Sequence, residues 1–148
     1  MTLAYLVCAA LCPYGAGTFA TQTGSIIIPP DYARSITCEY VITTGAPIYL
    51  RFDSFDTEAP YDKVEVYDGT SAKGTLKGSF SGTTVPPIQA ATSGSMYVRF
   101  TSDSALAATG VSVTWLNATP VDGALTHNAV RHTFAAVRAQ GRGLCLQL

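Results

Sequence analysis

Charge is scarce in this chain. Of 148 residues only 13% are Asp, Glu, Lys or Arg, and the formal net charge is −1. A balance so near neutral excludes the broad basic surface of a general nucleic-acid binder. Residues 1–30 carry no charged side chain. No run of 18 apolar residues occurs, so no membrane-spanning helix is encoded. The sequence contains neither GxSxG nor HExxH, which removes two common catalytic frameworks. Its two histidines, His127 and His132, are five apart, too far to share one helix face on adjacent turns as a metal pair. The four cysteines are Cys8, Cys12, Cys38 and Cys145, and no CxxC pair stands with metal-spaced His, so a zinc site is not indicated.

What is abundant is apolar content, 47% of residues, enough to form a packed core and to argue against global disorder. Gly, Pro, Ser and Thr interrupt short apolar runs every roughly 8–12 residues, the spacing of an all-β sandwich. The informative stretch is Ile48 to Gly69. Ile48, Leu50 and Phe52 alternate with Tyr49, Arg51 and Asp53, and Val64 and Val66 alternate with Lys63, Glu65 and Tyr67. A period of two gives each strand one buried and one wet face. Between the runs lies an acidic loop, Asp53 to Asp62, with Asp56 and Glu58 inside it. Further strands are expected over Thr37–Thr43, at Gly24–Tyr32 up to its proline turn, and at an edge opened by Pro86 and Pro87. Met96–Thr101 should turn Met96, Val98 and Phe100 one way and Tyr97 and Arg99 the other. Gly110–Leu116 should turn Val111, Val113 and Trp115 inward, with Trp115 in the core. Thr70 to Gly78 reads as a mobile surface hairpin.

Hard oxygen donors such as Asp and Glu suit calcium. Glu58 and Asp62 lie in one loop, and in a sandwich Asp103 can reach the same end. Three converging carboxylates repel, and a divalent ion removes that repulsion.

The ordered segments Tyr61-Asp62-Lys63-Val64-Glu65-Val66-Tyr67-Asp68-Gly69, Cys38–Ile42, Tyr97–Ser104 and Gly110–Trp115 resemble the CUB domain family of extracellular modules. The resemblance implies an all-β, jelly-roll-like sandwich of two antiparallel sheets over residues 21–118. An apolar segment, 1–20, would precede it and a helical or disordered tail, 119–148, would follow. It implies a calcium site with Glu58, Asp62 and Asp103 as ligands, completed by the carbonyl of Ala105. Tyr32 would support the glutamate and Ser104 would hold the loop. From its residues alone, Tyr32 reads equally as a half-buried turn aromatic. The interval between Glu58 and Asp62 is shorter than in the family, which could bring Asp53 or Asp56 into the shell instead or spoil the site; the alternative is a solvated acidic loop whose charges keep an edge soluble. The resemblance also implies a Cys12–Cys38 bridge. The family's second bridge has no counterpart, because Ala59 and Pro60 stand where a cysteine is expected.

Residues 3–11 form an apolar run that suits a secretory signal, with small residues for cleavage after Gly17 or Ala20. The alternative is that the run belongs to a longer extracellular chain, and cleavage after Ala20 would discard Cys12. Asn117 opens a glycosylation sequon whose occupancy Pro120 disfavours. In the tail, Val130, Phe134 and Val137 recur at helical spacing.

The expected role is a secreted, non-catalytic binding module. It would recognise a Lys or Arg of a protein ligand at the face of Glu58, Asp62 and Asp103, flanked by Tyr61. Alternatives are a glycan-binding sandwich using Tyr61, Tyr67 and Tyr97, or an accessory module of a larger secreted protease. Glycoside hydrolysis by Glu58 and Asp103 is the least supported.

Overall fold

The computed structural model describes Cys12 and residues 17–117. Nine strands are present among them: β1 (Gly17–Phe19), β2 (Thr23–Ile28), β3 (Thr37–Thr43), β4 (Ile48–Asp56), β5 (Lys63–Asp68), β6 (Thr75–Phe80), β7 (Gln89–Ala91), β8 (Ser95–Thr101) and β9 (Gly110–Asn117). They form a five-stranded sheet ordered β1-β3-β8-β5-β6 and a four-stranded sheet ordered β2-β9-β4-β7. All pairings are antiparallel except one: β1 runs parallel to β3, Gly17 opposite Tyr40. The expected sandwich of two antiparallel sheets is present, with this one parallel pairing added at its edge.

The period-two runs close the sandwich. In the first sheet Cys38, Phe100 and Val64 stand in one row, and Tyr40, Val98 and Val66 in the next. All six are buried. In the second sheet Ile26, Val113 and Phe52 share a row, as do Gly24, Trp115 and Leu50. Strict alternation along β4 would turn Phe55 to solvent. The register instead shifts between Phe52 and Ser54, leaving Asp53 as the extra residue of a bulge. Phe55 thereby faces inward, only 5% exposed, and packs edge-on against Phe52 with ring centroids 5.6 Å apart. The residues read as the start of the acidic loop therefore belong to a strand, and the connection proper starts at Thr57.

Gly24 lies opposite Trp115 because the indole occupies the space of a side chain. A Cβ on Gly24 would sit 2.1 Å from a ring carbon. Gly24→Ala is expected to destabilise by about 1–3 kcal/mol through overpacking. Urea unfolding followed by fluorescence of this single tryptophan measures it.

The Asp68-Gly69 pair that closes the Tyr61–Gly69 segment is structural. The Asp68 carboxylate accepts from the amides of Thr92 (2.8 Å) and Ser93 (3.2 Å), tying the β5–β6 turn to the β7–β8 turn. Burial pushes its carboxyl up, but hydrogen bonds from Ser93 and Thr92 outweigh that and hold it below the ordinary value. The Thr70–Gly78 run contains the start of β6, paired to β5 with Tyr67 opposite Leu76, so it is in part an edge strand, with a register shift at Lys77.

Cys12 is bridged to Cys38, with Cα atoms 5.3 Å apart. Both Cys12 and β1 fall within the 1–20 segment, so the described sandwich includes residues before position 21. The apolar run 3–11, Cys8, Cys145, Pro120, the histidines and the tail 119–148 lie outside the described residues. Asn117 ends β9, where its amide donates to the Gln22 carbonyl at 2.7 Å.

Candidate metal site

Three connections meet at one end of the sandwich: β2–β3, β4–β5 and β8–β9. The β4–β5 connection is a tight turn, in which the amides of Tyr61 and Asp62 both donate to the Glu58 carbonyl, at 3.1 and 2.8 Å. This fold-back brings Asp62 against Glu58 despite the short interval. The β8–β9 connection is pinned from the other side. Ser102 donates its hydroxyl to the Ala33 carbonyl at 2.8 Å and accepts from the Ile36 amide at 3.2 Å, while the Ser35 amide donates to the Asp103 carbonyl at 2.6 Å.

Asp62 is the hub. It is fully buried, its Oδ1 accepts from the Asp103 amide at 2.9 Å, and its Oδ2 accepts from the Tyr32 hydroxyl. Glu58 Oε2 accepts from the Leu106 amide at 3.2 Å, and Asp103 Oδ1 from the Ala105 amide at 2.7 Å. One oxygen from each of Glu58, Asp62 and Asp103 lies within 4.8 Å of the others. Glu58 Oε1 and Asp103 Oδ2 find no hydrogen-bond donor among the described residues. Three hard anionic oxygens at this separation fit a cation that takes oxygen ligands.

Several expected roles move. Tyr32 is 3% exposed rather than half-buried, and its hydroxyl serves the Asp62 carboxylate, not that of Glu58. Towards Glu58 it only accepts a long bond from the backbone amide, 3.4 Å. The reason is burial: a phenol packed edge-on to Phe100 reaches the buried acid of the turn first. Ser104 is exposed, and Ser102 is the serine that holds the loop. Asp53 pairs with Arg51 and Thr114, and Asp56 accepts from Thr109, so both are engaged along β4 and outside the cluster. Of the proposed sugar platforms, Tyr61 is 60% exposed, but Tyr67 and Tyr97 are buried. They lie on the outer face of the first sheet in a set with Glu39, Glu65 and Arg99. Tyr97 donates to Glu39, and Arg99 donates to Glu65 and to the Tyr67 hydroxyl. Thr57 and Ser102, which carry no charge, gave no chemical signal in the sequence.

Burial pushes the phenols of Tyr32, Tyr40 and Tyr97 up to about 12, aided at Tyr32 by its bond to Asp62 and at Tyr97 by its bond to Glu39. A free phenol titrates near 10. The folded state thus favours the neutral form, so this contribution to stability is complete below pH ~10 and disappears towards pH ~12. The melting temperature is expected to fall steeply across that window, and Tyr97→Phe should flatten the fall.

The CUB domain family model matches residues 14–115. The chain is 35% identical over 88 residues to the zinc metalloproteinase nas-39 of Caenorhabditis elegans, covering 55% of this chain and 10% of that protein. It is 42% identical over 77 residues to the human multiple epidermal growth factor-like domains protein 8, covering 50% of this chain and 3% of that protein. The chain thus spans a tenth or less of these curated relatives. Among solved structures it resembles the MASP-1 CUB2 domain bound to Ca2+, with a TM-score of 0.58 and 27% identity, covering 67% of this chain and 96% of that one.

Proposed function

The chain belongs to the CUB domain family, and from that membership we propose that it is an extracellular, non-catalytic module that binds a protein partner through a calcium-stabilised acidic tip. The observation that carries this reading is the convergence of Glu58, Asp62 and Asp103, from two different connections, to within 4.8 Å. Calcium would neutralise most of that charge and cross-link the two connections. The Ala105 carbonyl is the proposed main-chain ligand. Tyr32 would not bind the ion. It orients Asp62 by donating to its carboxylate.

The calcium-bound MASP-1 CUB2 domain supports the choice of ion by likeness. A divalent ion among three carboxylates leaves one net negative charge, and that charge suits a Lys or Arg from a partner through charge-assisted hydrogen bonds. Tyr61 is exposed beside Glu58 and Asp62 and offers that cation an aromatic neighbour. A glycan platform is less favoured because Tyr67 and Tyr97 are buried.

Calcium titration of the full chain by calorimetry tests the reading. A one-site isotherm and a higher melting temperature with calcium are expected. A flat titration would dismiss the metal and leave a sandwich with a solvated acidic end.

A further inference from the structure

We propose that Thr57 is a positioning residue for the tip, clamping a fourth connection, β6–β7, onto the Glu58–Asp62 turn and so setting calcium affinity. The proposal rests on the calcium reading above. Thr57 is one of only three buried polar or charged residues among those described. Its amide donates to the Gly82 carbonyl at 3.0 Å, and its hydroxyl accepts from the Gly82 amide, also at 3.0 Å. The hydroxyl proton goes to the Asp62 carbonyl at 3.1 Å. One side chain therefore joins the backbone of Asp62, the buried hub, to a connection that supplies no carboxylate.

Gly82 suits the clamp because its φ is +90°, a conformation that favours glycine. A Cβ there would lie 3.5 Å from the Ala59 Cβ, so the two connections are already in close contact. Neither connection contains a cysteine, so the tie between them is noncovalent. The hydroxyl is essential because it donates and accepts at once. Valine has nearly the same shape but would leave the Gly82 amide and the Asp62 carbonyl without these bonds. The Asp62 main chain would then be free to shift, and with it the oxygen that must meet those of Glu58 and Asp103.

The test is calcium titration by calorimetry of the full chain, unmodified and as Thr57→Val and Thr57→Ser, with the calcium-free melting temperature of each. Thr57→Val is expected to weaken calcium binding about tenfold, the scale of a lost buried hydrogen bond. Thr57→Ser retains the hydroxyl and should stay within about twofold. Unchanged affinity in Thr57→Val, whatever its melting temperature, overturns the proposal. A second measurement needs no variant. Linkage is reciprocal, so calcium must stabilise the clamp as the clamp stabilises calcium. Hydrogen exchange of the Gly82 amide in the unmodified chain should slow by about the same factor with saturating calcium. Equal rates with and without calcium overturn the clamp. An unmodified chain that gives no calcium heat refutes the metal reading and the clamp together; normal heat with an unaffected Thr57→Val refutes the clamp alone.

Discussion

Asp62→Ala is expected to abolish the calcium isotherm, a loss of at least about 100-fold in affinity, on the assumption that two broken terms of about 1.4 kcal/mol each are the minimum. The substitution removes one of three anionic ligands and the tie between their connections. Asp62 Oδ1 holds the Asp103 amide, so its loss releases the Asp103 backbone as well as a metal oxygen. It also leaves the buried Tyr32 hydroxyl without its acceptor. The calcium-free domain should therefore lose about 1–3 kcal/mol of stability for that orphaned group alone. Asp53→Ala is the charge-matched control. It deletes an acid that pairs with Arg51 and Thr114 on β4, and calcium binding should survive it. If Asp62→Ala still binds calcium with unmodified affinity, the ion sits elsewhere on the chain.

The second large effect is expected at the disulfide. Cys12→Ser combined with Cys38→Ser should cost roughly 3 kcal/mol, because the bridge closes a loop across a sequence separation of 26 and limits the unfolded chain. For a domain of this size that corresponds to a fall in melting temperature on the order of 15 °C. The location adds to the effect. Cys38 is fully buried in the row with Phe100 and Val64, and a serine there places a hydroxyl among apolar neighbours. Differential scanning calorimetry of the double variant, compared with the unmodified chain with and without reductant, separates the two contributions. Reductant removes only the bond, whereas the serines also change polarity. A shift below ~3 °C in both would show that the chain gains little from this staple.

Local periodicity determined most of the sandwich. Val64 and Val66, Met96, Val98 and Phe100, and Val111, Val113 and Trp115 all face the core as their alternation dictates, because side-chain direction in a strand repeats every two residues regardless of what lies opposite. The three acids that meet at the tip were also legible, since Glu58, Asp62 and Asp103 are hard donors in turn-rich segments. Tertiary structure alone decided the rest. The bulge at Asp53 turns Phe55 inward, where its ring packs edge-on against Phe52. Tyr67 and Tyr97 are buried on a face that alternation assigns to solvent, where Glu39 and Arg99 supply partners for their hydroxyls. Tyr32 meets Asp62 across 30 positions, and Thr57 meets Gly82 across 25. Such pairings depend on which connections the two sheets bring to the same end, and no window of local sequence contains both partners.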